Sequence, residues 1–137
     1  MRRPLMLALA GALALGVASG ASPAYANSVP DIGLWSTNTT GVECVQYALD
    51  EYDHELSSNP NWRNWVTVDG SYGPQTRQAV IWFQESMNKI NNAGLAVDGI
   101  VGQHTGGWID QFAWSASKDW APSWVAFCDQ HVPDDGL

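Results

Sequence analysis

Residues 66 to 83 read VTVDGSYGPQTRQAVIWF and residues 95 to 112 read LAVDGIVGQHTGGWIDQF, two stretches that align without a gap at an offset of 29. Six positions are identical: Val68 with Val97, Asp69 with Asp98, Gly70 with Gly99, Gly73 with Gly102, Thr76 with Thr105, and Phe83 with Phe112. Val66 with Leu95 and Val80 with Ile109 match in kind. Two copies are too few for a solenoid, so the repeat reads as pseudo-symmetry inside one small domain.

Each copy has the pattern V-D-G-x-x-G-x-x-T. A short apolar extended piece ends at Asp-Gly, where the carboxylate can accept neighbouring backbone amides and glycine supplies a positive φ. The second glycine turns the chain again, and a helix follows. Gly73-Pro74 marks the first of these starts, because proline is favoured at the first helical position. From there Thr76, Ala79, Val80, Phe83 and Met87 fall at helical spacing as one buried stripe. In the second copy Thr105, Trp108, Ile109 and Phe112 do the same, although Gly106-Gly107 weakens that helix by about 2 kcal/mol relative to two alanines. Asp69, Gly70, Gly73, Thr76, Asp98, Gly99, Gly102 and Thr105 are therefore read as structural turn residues.

Working outward, a third helix precedes the repeat. Thr40-Gly41-Val42-Glu43 reads as a capping box, followed by Val42, Val45, Leu49 and Tyr52 on one face. Asp50, Glu51, Asp53 and Glu55 crowd its far end, where the helix dipole disfavours acids, so the helix is expected to stop by about Leu56. At the N-terminus Arg2 and Arg3, the apolar run Leu5 to Val17 and Ala24-Tyr25-Ala26 have the form of a secretory signal, placing the mature start at Asn27. The expected product is a secreted protein, extracellular or held at the cell wall, with no membrane association after cleavage. Without its two signal arginines, the chain's charge of −8 becomes −10, which argues against nucleic acid and other polyanions as partners.

Cys44 and Cys128 are the only cysteines, and an oxidising compartment makes a disulfide between them the default. Catalytic chemistry is not visible. His54, His104 and His131 lack the H-x-H and H-E-x-x-H spacings, and there is no G-x-S-x-G elbow. Asp69 and Asp98 lack the alternating carboxylates and closing glutamate of a calcium loop. Glu85 has apolar neighbours in Trp82 and Met87 but no evident partner carboxylate. No catalytic residue, metal site or cofactor is expected.

Taken together, several spaced elements resemble the peptidoglycan-binding-like domain attached to many bacterial cell-wall hydrolases. They are Gly41-Val42, Val45-Gln46 and Leu49; Asp69-Gly70, Gly73, Thr76, Ala79-Val80 and Phe83-Gln84; then Gly94-Leu95, Val97 to Gly102, Thr105 and Trp108. The resemblance covers roughly residues 41 to 112. It implies a three-helix fold, non-catalytic attachment to the wall and no cofactor. It also places a shallow ligand groove beside the Asp-Gly turns and the first turn of the second helix.

Two departures from that pattern stand out. A long aromatic loop, Asn59 to Trp65, precedes Val66, and a tail from Ala113 to Leu137 carries Trp114, Trp120, Trp124, Phe127 and Cys128. The expected architecture is mainly α: a signal at 1–26, an N-terminal segment at 27–40, a compact three-helix orthogonal bundle with short extended turns at 41–112, and a C-terminal aromatic extension at 113–137 packed on it by one disulfide. Peptidoglycan, through its glycan strand or stem peptide, is the expected partner of a monomer. Trp62, Trp65, Tyr72, Gln75 and Arg77 are the candidate ligand contacts, Tyr72 as an exposed ring beside the first turn. A protein-binding, inhibitor-like module using the 57–65 loop and the tail is the alternative reading, and a small wall hydrolase the third.

Overall fold

A computed structural model describes residues 26–56, 66–116 and 126–137, with side chains placed for all of these except 53–56 and 113–116. Three helices carry the fold: α1 (Thr39–Leu56), α2 (Pro74–Asn91) and α3 (Gln103–Ala116). A further helical turn at 126–128 leads into the C-terminal segment. The expected mainly helical class, the end of α1 at Leu56 and the proline start of α2 are all present. None of the described helices is long and apolar enough to cross a membrane.

The periodic stripes meet in one core. Val42, Val45, Leu49 and Tyr52 of α1 face Ala79, Val80, Phe83 and Met87 of α2 and Ile109 of α3, with Trp108 and Phe112 packed against the edge. Tyr52 stands edge-on to both Phe83 and Phe112, at centroid distances of 5.2 and 4.8 Å, and its hydroxyl bonds Ser86. Such edge-to-face pairs add about 0.5–1.5 kcal/mol each beyond the area they bury.

The start of α1 differs from its sequence reading. Asn38, two residues before Thr40, supplies the cap: its Oδ1 accepts the Gly41 N–H at 2.9 Å, and its Nδ2 donates to the His131 carbonyl at 2.8 Å. One side chain therefore closes the helix end and ties the C-terminal segment to it, two jobs a threonine hydroxyl is too short to perform together.

The segment before α1 is more structured than its composition suggests. Ile32 and Val101 exchange both backbone hydrogen bonds at 2.9 Å in an isolated antiparallel bridge, and both side chains are fully buried. Asn27 donates through Nδ2 to the carbonyls of Asp129 and Val132 and accepts the Asp134 N–H, while Gln103 donates to its carbonyl. The segment around Asn27 and the C-terminal segment thus meet beside Gln103 at the start of α3.

The disulfide between Cys44 and Cys128 is formed and joins α1 to the C-terminal segment. Cys44 is in the core, and Cys128 packs against it. The described tail docks through Cys128, Val132 and Pro133, whereas Phe127 is largely exposed and stacks on His131 instead of entering the core. Of the other aromatics expected to cover the bundle, Trp120 and Trp124 lie outside the described residues, as does the Trp114 side chain.

Gly106-Gly107, which looked like a weakness of α3, is where the tail touches it. A Cβ on Gly106 would stand 1.6 Å from the Pro133 carbonyl oxygen, and one on Gly107 would stand 2.4 Å from Asp135 Oδ1. The helix propensity given up here permits a backbone-to-backbone contact that no side chain leaves room for.

Candidate functional site

The two Asp-Gly turns are built alike. Gly70 and Gly99 take φ of 69° and 70°, the left-handed region the pattern required. In each turn the aspartate Oδ1 accepts the N–H two residues on, Ser71 or Ile100, at 2.8 Å. That contact, followed by Gln46, holds the exposed Asp69 carboxyl below its ordinary range.

Each turn is gripped from behind by a buried glutamine. Gln46 of α1 accepts the N–H groups of Asp69 and Gly70 at 3.0 Å, and its Nε2 faces Asp69 Oδ1, the Ser71 carbonyl and Thr76 Oγ1 at 3.0 to 3.1 Å. Gln84 of α2 repeats this with Asp98, Gly99, Ile100 and Thr105 at 2.9 to 3.2 Å. The repeat is therefore larger than the aligned stretches: helix, glutamine, turn, helix. Gln46 precedes its aspartate by 23 residues and Gln84 by 14; α1 runs ten residues past its glutamine and α2 seven, so three of the nine extra residues lengthen the helix and six lie between helix and turn.

Of the expected ligand contacts, Tyr72 must be corrected. Its ring is 93 % buried, its hydroxyl donates to the Gly99 carbonyl at 2.8 Å, and burial pushes its phenol well above the ordinary value. It occupies the packing position that Val101 fills in the second copy, so the two copies do not differ there as expected. Arg77 is exposed, but its Nη2 donates to the Asp98 carbonyl at 2.9 Å and its stem covers Gly99. Tyr72 and Arg77 thus brace the second turn from the first copy. Gln75 is exposed at the start of α2, while Trp62 and Trp65 lie outside the described residues.

The second turn opens onto a groove of about 450 Å³. Its walls are the loop Gly94 to Ala96, the turn residues Asp98 and Ile100, the start of α3 from Gly102 to Thr105, and Asp31 of the N-terminal segment. Asn88 fixes the loop by exchanging hydrogen bonds of 2.7 and 2.8 Å with the backbone of Leu95. His104 on the rim bonds Asp135 Oδ2 at 2.6 Å through Nδ1 and the Ala93 carbonyl at 3.0 Å through Nε2. Its pKa is raised by the Asp135 hydrogen bond first and by Ala93 second.

The groove adjoins the second turn and the start of α3, with Asp31 contributed from outside the repeat. Asp31 carried no signal of its own in the sequence.

Residues 38–108, just over half the chain, match the peptidoglycan binding domain family. The chain belongs to that family. No curated protein and no solved structure matches it. Two exposed carboxylates, Asp31 and Asp98, flank the start of α3 across one open groove. Among its described residues no group of three His, Cys, Asp or Glu is placed to hold a metal. Among the described residues the strongly perturbed carboxyl is Asp110, which lies outside the groove lining and against the tail: burial, followed by the hydrogen bond and charge of Asp129, pushes it up to about 8.

Proposed function

We propose that this protein is a secreted, non-catalytic module that adheres to bacterial peptidoglycan through the groove at its second Asp-Gly turn. The observation that carries this reading is the groove itself. Apart from Asp31 it is walled by family-matched residues, and its geometry is fixed from behind by Gln84, Tyr72 and Arg77. The signal-like N-terminus supports delivery to the wall. Binding is neutral in its main character, through hydrogen bonds to sugar and peptide groups, and the acidic rim favours cationic groups of the stem peptide over anionic wall polymers.

Retention of the mature protein on insoluble peptidoglycan in moderate salt tests the proposal. Ala96 is exposed on the groove wall, so Ala96→Trp fills the groove without disturbing the core and should abolish retention. Retention that survives Ala96→Trp but is lost in the Trp62→Ala, Trp65→Ala double variant would move the site to the aromatic loop. Failure to bind walls from several sources would overturn adhesion, and release of soluble muropeptides would overturn the non-catalytic assignment.

A further inference from the structure

Trp35 is 63 % exposed, an unusual position for the side chain with the largest apolar surface. It is also firmly placed. Gly33 and Ser36 close a turn around it, with the Ser36 N–H donating to the Gly33 carbonyl at 2.9 Å. A Cβ on Gly33 would meet three adjacent carbons of the six-membered ring at 2.9, 3.1 and 3.1 Å. A ring approached at its edge would present one near atom and two clearly farther ones. Near-equal distances mean that the indole lies with one face against the Gly33 backbone, leaving the opposite face to solvent.

The bridge between Ile32 and Val101 determines which side of the molecule that face belongs to. Side chains alternate along extended backbone, so residues flanking a buried pair point the other way. Ile32 and Val101 point into the core with no exposure at all. Asp31 on one strand, and Ile100 and Gly102 on the other, all line the groove. Gly33 is the remaining member of this outward set, and the Trp35 ring stands where its side chain would be. The indole therefore stands on the groove's side of the bridge, next to the lining residues Asp31 and Ile100.

We propose that Trp35 is a sugar-stacking subsite that extends the groove, holding a pyranose ring of the wall's amino-sugar chain against its open face. The inference rests on the wall-binding reading above and selects the glycan strand over the stem peptide. A pyranose ring presents a face of C–H groups ringed by hydroxyls, which pairs an apolar platform with nearby hydrogen-bond acceptors. Trp35 supplies the platform, and the Asp31 carboxylate, two residues before Gly33 on the same side, supplies the acceptor. A stem peptide has no comparable rigid apolar face to match a flat indole. Trp35 also precedes the family-matched residues 38–108.

The test is binding of the mature protein, with Trp35→Ala and Trp35→Phe, to insoluble peptidoglycan and to a soluble β-linked N-acetylglucosamine tetramer. Loss of the stacked ring should weaken retention about tenfold in Trp35→Ala, while Trp35→Phe keeps most of it. In the parent protein the tetramer should shift the Trp35 indole N–H resonance saturably. Trp35→Ala binding walls within twofold of the parent, or Trp35→Phe losing as much as Trp35→Ala, overturns the subsite and leaves wall adhesion standing. If the parent does not bind walls, adhesion fails instead, and the tetramer alone decides: a saturable shift retains the subsite, and an unmoved indole overturns it. Unchanged melting of both variants confirms that folding is not the variable.

Discussion

Gln84 and Asp98 are joined twice: the glutamine Oε1 accepts the Asp98 N–H at 3.1 Å, and its Nε2 donates to the Asp98 carboxylate at 3.2 Å. Gln46 and Asp69 are joined in the same way at 3.0 and 3.0 Å. Each turn offers N–H donors on one side and carbonyl, hydroxyl and carboxylate acceptors on the other. Glutamine carries both an acceptor and a two-proton donor at the tip of its side chain, whereas glutamate lacks the donor and asparagine is one methylene shorter. The turn that forms the groove is thus held by a side chain from the preceding helix, with little left to the loop's own preferences.

Gln84→Ala leaves the part-buried Asp98 N–H and the buried Gly99 N–H without acceptors. At about 1–3 kcal/mol for each unsatisfied group, the melting temperature should fall by 10 °C or more. Gln84→Glu is a sharper test because it keeps the acceptor and turns a carboxylate on Asp98. Like charge raises the new carboxyl's folded pKa, so stability is lost as pH rises through that value. The melting deficit should therefore be larger at pH 7 than at pH 4; equal deficits would refute the double contact.

The helical stripes were legible in the sequence because burying one face imposes a period the eye can find. The Asp-Gly turns were legible because few residues besides glycine take φ near 70° without cost. Gln46 and Gln84 were quoted as part of the family pattern, but their work was hidden: a polar residue on an apolar face declares no partner, and its partners lie 23 and 14 residues away. The far wall of the groove was hidden for a similar reason. One wall comes from Asp31, in a segment without periodicity that is placed only by the pairing of Ile32 with Val101. Tyr72 shares the packing position of Val101, and only the Gly99 carbonyl, 27 residues away in sequence, shows how a buried tyrosine hydroxyl is satisfied there.

Gly106→Ala inverts the usual expectation for an alanine in a helix. Propensity alone predicts a gain of about 1 kcal/mol. The contact at 1.6 Å with the Pro133 carbonyl is backbone against backbone and cannot be relieved by a rotamer change. The variant should lose at least about 2 kcal/mol in denaturant unfolding as the C-terminal segment is pushed from α3. A stabilised Gly106→Ala would show that the segment does not dock as described.

Asp110 makes the fold sensitive to pH. Its carboxyl, raised to about 8 by burial and by Asp129, keeps its proton in the folded protein while the unfolded chain releases one near 3.8. The folded state therefore binds the extra proton between those values, and stability falls as pH rises from about 4 to about 8 before levelling. Asp110→Asn, which imitates the protonated acid and can still donate to Asp129, should leave melting at pH 4 nearly unchanged and raise it by about 4 °C or more at pH 8. The same increment at both pH values would mean that Asp110 is not the titrating group.

His104 adds a second loss on the alkaline side, by a different route. Its two ring nitrogens face a carboxylate and a backbone carbonyl, both acceptors, and the ring satisfies the two together by donating from both nitrogens as the imidazolium. Its folded pKa accordingly lies above the ordinary 6.5, so the stabilisation is complete below 6.5 and is lost as pH rises through the folded value. About half of the side chain is exposed, which limits the ion pair to at most about 1 kcal/mol. Asp135→Asn should lower the melting temperature at pH 5.5 by a few degrees, with a deficit that shrinks by pH 9 and in 1 M salt. Because His104 also ties the Ala93 to Ala96 wall of the groove to the start of α3, the parent should bind its wall ligand more tightly at pH 5.5 than at pH 9. His104→Gln should flatten that difference, and a pH dependence of binding unchanged in His104→Gln would detach this histidine from the groove.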